Sequence, residues 1–568
     1  MATSITIGAS VPIKELPDPK GQVIWLKDKS GEPFGAAWGS TDIRYPKNPR
    51  PEERETKITL SAWRGERVNL QAVVWNNSEE QTFSFSASDL KGASFKIASD
   101  AIAVNAVGYV MTDGLYRGSS TMGCFPKDYI NRDSSLIADV LLHETTMKVA
   151  SQTTRPVWLS IHVPSEAAPG LYKGKLEIQT GKQRKSLSIE LRVVERQLPP
   201  PSQWSFHLDL WQNPFSVARY YGVTLWSEEH FEKMRPLMTR LANAGQKVIT
   251  TTLMYEPWGG QTYDLFNTMI LRYKRIDGTW QYNFDIFDRY VAFMFDCGID
   301  RQISCYTIIP WEERYQYFDE ATNSHQYVKA ELNSEAYKAY WTPFFEAFVK
   351  HLQEKGWLDK TVIAMDERPA DRMRQAIAYL NEIAPSLKIG LAGNHHPDIQ
   401  EALQDYCVAL RQRYDLETKE ARRNRGQVST FYTCCVEDIP NTFTFSPPAE
   451  STWLMWHAAA ESYDGYLRWA YNSWNEEPLL DSRYGNFSGG DCFFVYPDNQ
   501  SSIRFEKMIE GIQDYEKIRL LREEYIRKND SQHLQRLDAL LQPFSDYESL
   551  RREGAAGMLK NARGQLNY

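Results

Sequence analysis

Thr361-Val362-Ile363-Ala364-Met365-Asp366-Glu367-Arg368-Pro369 decides how this chain is read. Its β-branched and apolar opening is short enough to be a buried strand. The run stops at two adjacent carboxylates, and a proline follows, a residue that ends strands and suits turns or the first position of a helix. Asp366 and Glu367 therefore fall where a buried strand opens into a loop, which is where α/β barrels keep their chemistry. An acid pair there suits glycoside hydrolysis, in which one acid gives a proton while a neighbour stabilises developing positive charge. The dipeptide alone also has a plainer reading, with Asp366 capping the next helix and Glu367 solvated in its first turn. The surrounding chain has to choose between them.

Working outward, strand patterns recur at 204–211, 247–253, 302–309, 361–366, 387–392, 408–410, 431–436 and 465–469. Amphipathic helical spacing fills 228–244, 284–297, 335–355 and 371–383, and Gly245, Gly298 and Gly356 close the first three. Eight strands mostly separated by helices predict an α/β chain with a (β/α)8 TIM-like barrel. A doubly wound sheet is the main rival, but no glycine-rich phosphate loop follows the first strand. Before the barrel, 57–63 and 68–75 flank Arg64-Gly65-Glu66 in a hairpin pattern, and 157–163, 171–178 and 187–193 alternate again. This predicts an N-terminal antiparallel β-sandwich. Leu198-Pro199-Pro200-Pro201-Ser202 is the linker between the two. The segments 503–528 and 534–559 are charged and helical, the last barrel helix plus a helical cap. The expected domains are 1–200 (sandwich), 201–525 (catalytic barrel) and 526–568 (a helical extension packed on the barrel).

Composition narrows the partners. The 568 residues carry 65 basic and 73 acidic side chains, a net charge of −8, with no Lys/Arg block, which argues against nucleic acid. Seventeen Trp, 31 Tyr and 25 Phe supply faces that pack against sugar C–H groups, although aromatic-rich β cores give the same count. Seven cysteines, at 124, 297, 305, 407, 434, 435 and 492, show neither a CxxC nor a zinc spacing. No metal or cofactor is expected, and the odd, scattered set does not describe a disulfide framework. No stretch is long and apolar enough to span a bilayer, and Met1-Ala2-Thr3-Ser4-Ile5-Thr6 has neither a basic nor an apolar leader pattern.

In a barrel the C-terminal strand ends share one mouth. They bring His207, Asp209 and Trp211 from the first strand, Tyr255 and Trp258 from the second and Trp311 from the third. Asp366 and Glu367 come from the fourth, Asn394 and His395 from the fifth and Tyr432 from the seventh. Trp469, Tyr471, Asn472 and Trp474 come from the eighth. Arg483 and Asp491, around the glycine-rich 484–491 loop, cover the mouth or pair with each other. Plainer readings stand beside these: a core pair for His207 and Asp209, barrel packing for Trp469, plain core for Tyr255. His395-His396 lacks the carboxylate spacing of a metal site. Aromatic walls, a few amide and imidazole groups and one acid pair describe a sugar pocket.

The acid pair after its apolar strand and Gly465-Tyr466-Leu467-Arg468-Trp469-Ala470-Tyr471-Asn472-Ser473-Trp474 resemble glycoside hydrolase family 123. So do Gly490-Asp491-Cys492-Phe493-Phe494-Val495-Tyr496-Pro497, Ser502-Ile503-Arg504-Phe505-Glu506 and Glu510-Gly511-Ile512-Gln513-Asp514-Tyr515-Glu516. The resemblance covers about residues 200 to 525, and the β-rich N-terminal part suits the family's sandwich. It implies a retaining, substrate-assisted β-N-acetylgalactosaminidase without a metal. Its substrate would be a glycan or glycolipid carrying β-linked N-acetylhexosamine, and its location outside the cytoplasm.

An adjacent pair suits that mechanism. A retaining enzyme with its own nucleophile needs carboxylates about 5 Å apart on opposite faces of the sugar, usually from different strands. When the 2-acetamido oxygen of the substrate attacks instead, one group must polarise the acetamido N–H and another must protonate the leaving oxygen. Asp366 fits the first role and Glu367 the second. Tyr432 or Tyr471 would donate to the acetamido oxygen, and Trp456, Trp469 or Trp474 would wall its methyl. A β-N-acetylglucosaminidase differs only at sugar carbon 4. A carbohydrate-binding surface protein on an inactive barrel is the non-enzyme alternative, and the intact acids argue against it.

Overall fold

In the computed structural model, which describes residues 14–25, 31–113, 134–412, 414–485 and 487–567, Thr361–Asp366 is a strand whose first five residues are buried. It belongs to an eight-stranded parallel sheet. Around that sheet the strands run His207–Leu210, Gly465–Arg468, Val428–Tyr432, Asp405–Ala409, Lys388–Gly393, Thr361–Asp366, Gln302–Tyr306 and Val248–Thr252. Chain neighbours are sheet neighbours throughout, the order of a (β/α)8 barrel. At the seam between the first and second strands an isolated bridge joins Leu208 to Gln246. Side-chain amides complete the seam: Gln246 accepts from the Leu210 N–H at 3.0 Å, and Gln212 from the Thr250 N–H at 2.9 Å. The first strand is four residues long, so buried backbone groups beside it need these partners. The barrel is nearly closed.

Helices Glu228–Ala242, Asp285–Asp296, Glu335–Lys355 and Ala370–Ile383 stand where apolar spacing predicts them. Ser227 and Ser334 cap two of them by accepting from His230 and Tyr337 N–H groups. Leu416–Asn424 and Pro448–Ala460 add helices that the sequence reading did not anticipate. It also missed a four-stranded sheet. Hairpin Leu271–Lys274/Trp280–Asn283 follows the second barrel strand, hairpin Arg314–Asp319/Ser324–Lys329 follows the third, and the two join edge to edge.

The N-terminal part is a sandwich of one six-stranded and one seven-stranded sheet. The expected hairpin around Gly65 is instead a corner: Lys57–Arg64 lies in one sheet and Arg67–Asn76 in the other. Gly65 turns it with φ +78°, and a Cβ there would sit 2.6 Å from the Leu198 carbonyl oxygen. Lys57–Arg64 pairs in parallel with Gln183–Gln197, while the other described sandwich pairs run antiparallel. Cys435 is disulfide-bonded, while Cys297, Cys305, Cys407, Cys434 and Cys492 are free. Cys124 and residues 1–6 lie outside the described residues. Among the described residues no helix is long and apolar enough to cross a membrane.

Barrel and sandwich are joined through the chain after the last barrel strand. Ser501–Ser502 adds to the sandwich strand Ser134–Leu141, and Ser502 then caps helix Ile503–Arg527. That helix is charged yet buried along most of its length, including Arg504, Lys507, Glu510, Asp514, Glu516 and Lys517. Its partners come from elsewhere. Asp139, fully buried in the sandwich, accepts from Arg44 at 2.9 Å, Arg504 at 3.1 Å and Tyr496 at 2.6 Å. Lys517 meets Glu66 at 2.6 Å, and Arg563 near the C-terminus meets Glu510 at 2.5 Å and Asp514 at 2.6 Å. Helices Ser531–Leu541 and Tyr547–Ala562 close over Trp63, Trp453, Trp456 and Phe544, touching sandwich and barrel alike. Asp139→Ala would leave two arginines buried without their carboxylate. We expect a stability loss of about 3–5 kcal/mol, read by denaturant unfolding; a change within error would show the joint to be solvated.

Candidate active site

Asp366 closes its strand and is partly buried, whereas Glu367 is exposed. Glu367 takes a left-handed φ of +48°, which costs a non-glycine residue about 1–2 kcal/mol. Its N–H donates to the Ala392 carbonyl on the next strand at 2.7 Å. Gly393 leaves it room, since a Cβ there would stand 3.3 Å from the Glu367 Cα. Helix Ala370–Ile383 begins at Pro369 without a side-chain cap, so Asp366 is not the cap of the plainer reading.

Burial first, and the neighbouring Glu367 charge second, push the Asp366 carboxyl up to about 8, against the pull of Arg368 and Trp311. Arg368 donates to the Asp366 backbone carbonyl at 2.9 Å and stands 5.4 Å from the Trp311 ring. Across the mouth, the Tyr432 hydroxyl donates to Glu367 Oε1 at 2.9 Å. Burial and the Glu367 charge hold Tyr432 well above the ordinary tyrosine range, so it stays a donor.

Aromatic rings make the floor. Trp211 stacks on Trp258 with centroids 5.1 Å apart and lies 4.6 Å from Tyr306, while Phe266 meets Trp258 edge-on at 4.8 Å. Trp211, Glu256, Trp258, Phe266 and Trp469 line a shallow cleft. Trp469 is aimed by Asp491, which accepts its indole N–H at 3.1 Å and is itself held by Arg468 at 2.5 Å. Beneath the floor the barrel interior is polar. Asp209, Tyr306, Asp405 and Cys407 line a small void there. Burial first, and Asp405 second, push Asp209 up to about 7. A larger cleft of about 690 Å³ between sandwich and barrel, lined by Arg67, His162 and Arg240, shares no residue with the mouth. Stacked aromatic faces near an acid pair with one desolvated and one exposed member are suited to holding a sugar ring and protonating its glycosidic oxygen.

Residues 211–521 match the family model described as the catalytic domain of glycoside hydrolase 123, and residues 38–180 its N-terminal domain. The chain belongs to glycoside hydrolase family 123. A solved family 123 glycoside hydrolase from Clostridium perfringens, described in terms of glycolipid glycan hydrolysis, is 26% identical. It superposes with a TM-score of 0.83 over 94% of this chain and 98% of its own. Bacteroides uniformis β-glucuronidase 3 reaches 10% identity and a TM-score of 0.29 over 80% and 50% of the two chains, too loose to carry weight. No curated protein matches the chain.

Of the sequence-predicted residues, the structure of this family 123 hydrolase gathers Asp366, Glu367, Trp211, Tyr432 and Trp469 at the mouth, with Asp491 behind Trp469. Asn394 is exposed at the rim, one residue past Gly393. Trp258 joins them, stacked on Trp211, and Trp311 stands beside Arg368, while the rest lie elsewhere. His207 opens its strand at the barrel's bottom, 3.2 Å from Asp405, and Asp209 is interior. Tyr255 leans towards Glu256, Tyr327 and Arg314 of the inserted sheet. His395 bonds Gln400 at 3.0 Å and stacks on Tyr414. Trp456 is buried under the C-terminal helices, bonded to Asp514 at 3.0 Å. Beyond Trp469 the chain re-enters the core: Tyr471 donates to Leu237 at 3.0 Å, Asn472 to Asn213 at 2.8 Å and Trp474 to Val495 at 2.8 Å. Arg483 pairs with Asp481 at 2.6 Å and with Ser134 at 2.8 Å, not with Asp491. Tyr306 was missed because the apolar run continues to Ile309, although the strand stops at Tyr306. Arg368 sat in the deciding stretch without a role. Tyr432→Phe removes one hydrogen bond to a carboxylate, so kcat/KM should fall roughly ten- to a hundredfold with the fold intact. Unchanged kinetics would remove Tyr432 from the site.

Proposed function

We propose that this glycoside hydrolase removes terminal β-linked N-acetylgalactosamine from glycans or glycolipids by a retaining, substrate-assisted mechanism. The carrying observation is that its two mouth acids are chain neighbours, one desolvated and one exposed. Carboxylates so placed lie on one side of a bound sugar, which leaves the opposite side to the substrate's own acetamido oxygen. Glu256, the carboxylate that lines the aromatic cleft, is tied to Arg314 at 3.4 Å.

Asp366, pushed up to about 8 by burial and the neighbouring Glu367, holds a proton at neutral pH. An acetamido N–H donating to Asp366 favours its ionised form. Asp366 bears negative charge against the developing oxazolinium, and Glu367 protonates the leaving oxygen. Glu367 next takes a proton from the water that opens the oxazoline at the anomeric carbon. Tyr432 holds the Glu367 carboxylate in place. The glycolipid connection of the Clostridium perfringens relative supports the substrate class. A place outside the cytoplasm is supported by the disulfide at Cys435, since reducing compartments keep such bonds open.

The test uses aryl β-glycosides of N-acetylgalactosamine and N-acetylglucosamine. Release from the galactosamine compound alone is expected, with Glu367→Gln losing roughly 10²–10⁴-fold on substrates with poor leaving groups. Release from the glucosamine compound alone would reassign the sugar, and full activity in the variant would end the assignment of Glu367. Because the raised Asp366 carboxyl keeps the pair's proton below about pH 8, kcat/KM should fall as pH rises through that value. A profile flat well above it would contradict a one-proton pair.

A further inference from the structure

The inserted four-stranded sheet has two unlike faces. One packs on helix Glu335–Lys355: Arg272 is buried over Tyr340, Trp341 and Phe344, and Trp280 and Tyr282 meet Tyr340 and Phe344 edge-on. Residues of opposite parity make the other face, since successive strand side chains point to opposite sides. On it, Tyr273 and Phe318 lie on adjacent strands with ring centroids 5.9 Å apart, and Phe318 meets His325 at 5.5 Å. Gln316 donates to the Tyr327 hydroxyl at 2.7 Å, and Tyr327 remains 40% exposed. Arg314 lies over the Tyr327 ring at 4.6 Å.

This face continues the mouth. Arg314 reaches Glu256 of the cleft at 3.4 Å, and three residues before it Trp311 stands beside Arg368 of the acid stretch. We propose that the outer face of the inserted sheet, through Tyr327, Phe318 and Gln316, binds the sugars on the leaving-group side of the scissile bond. This rests on the glycosidase reading above. Neighbouring strands are about 4.8 Å apart, close to the width of a hexose ring, so rings on successive strands can each take the C–H face of one sugar. The Gln316 amide supplies a partner for hydroxyls. The outward strand positions carry Arg314, His325 and Lys329 but no carboxylate. The inserted sheet thus sets preference for oligosaccharides over short glycosides.

The test compares an aryl β-N-acetylgalactosaminide with a neutral tetrasaccharide ending in the same sugar, using wild type, Tyr327→Ala and Phe318→Ala. The exposed Tyr327 position tolerates truncation, and circular dichroism checks both variants. For the tetrasaccharide kcat/KM should fall about tenfold in each variant, with the aryl compound within twofold of wild type. Equal kinetics on both substrates in all three proteins would overturn the proposal. Should wild type cleave neither, the activity reading fails, and calorimetric binding of the trisaccharide left after removal of the terminal sugar decides the subsite separately. Binding weakened in Tyr327→Ala supports it; no binding, or equal binding, overturns it. Loss of binding to neutral phospholipid vesicles in Tyr327→Ala, with the sugar titration unchanged, would make the face a membrane contact instead.

Discussion

A buried helix full of charge cannot be left to solvent, and this constraint organises the molecule. Ile503–Arg527 presents its ionic side chains to other segments, and each segment answers with the complement: Asp42, Glu66 and Asp139 from the sandwich, Arg563 from the C-terminus. Such networks are weak as glue, because desolvation offsets most of the attraction, but they punish mismatch, because losing one partner strands another. The sandwich therefore seats on the barrel in one orientation. The last helices seal the joint with an apolar patch built on Trp63, Trp453 and Trp456. The charged helix expected to be the last of the barrel is also the internal strut.

The same desolvation, at the other end of the barrel, shapes the site. The eight strands converge on a mouth floored by Trp211, Trp258 and Tyr306, and burial at this mouth raises the Asp366 carboxyl. Beneath them Asp209 and Asp405 keep further carboxyl groups in the barrel, where branched aliphatic side chains are usual. His207 and Gln302 hold Asp405 ionised, at 3.2 and 2.7 Å, and that fixed charge helps keep the proton on Asp209. The site thus sits on a polar column that disfavours further negative charge, in keeping with a pair that carries one proton rather than none.

Much of this was legible. Parallel strands buried on both faces read as short apolar runs, so all eight appeared in the sequence, and strand-end position singled out Asp366, Glu367, Trp211, Tyr432 and Trp469. What failed did so for local reasons. His207 has the same inward parity as Trp211 but lies two layers below it, and parity carries no depth. Asn472 and Trp474 follow a strand end, yet a side-chain amide and an indole draw the chain back into the core, a long-range choice with no local signature. The strands of the inserted sheet are four to six residues long and largely polar on one side, too short for period two to stand out. The burial of the ionic side chains on Ile503–Arg527 was not legible, because partners such as Glu66 and Asp139 lie hundreds of residues away.

The left-handed residue at Glu367 ties fold to chemistry. Along an extended strand Asp366, in step with the inward Ala364, points into the barrel, so its successor would point out among the helices. A φ of +48° turns Glu367 back over the mouth, within 2.9 Å of Tyr432 three strands away. The conformation persists because the Ala392 carbonyl takes its N–H and Gly393 lacks the Cβ that would crowd it. Two acids delivered by consecutive residues arrive from one side and cannot straddle a sugar ring. A fold that builds its acid pair this way does not supply, from the pair itself, a nucleophile on the opposite face of a bound ring.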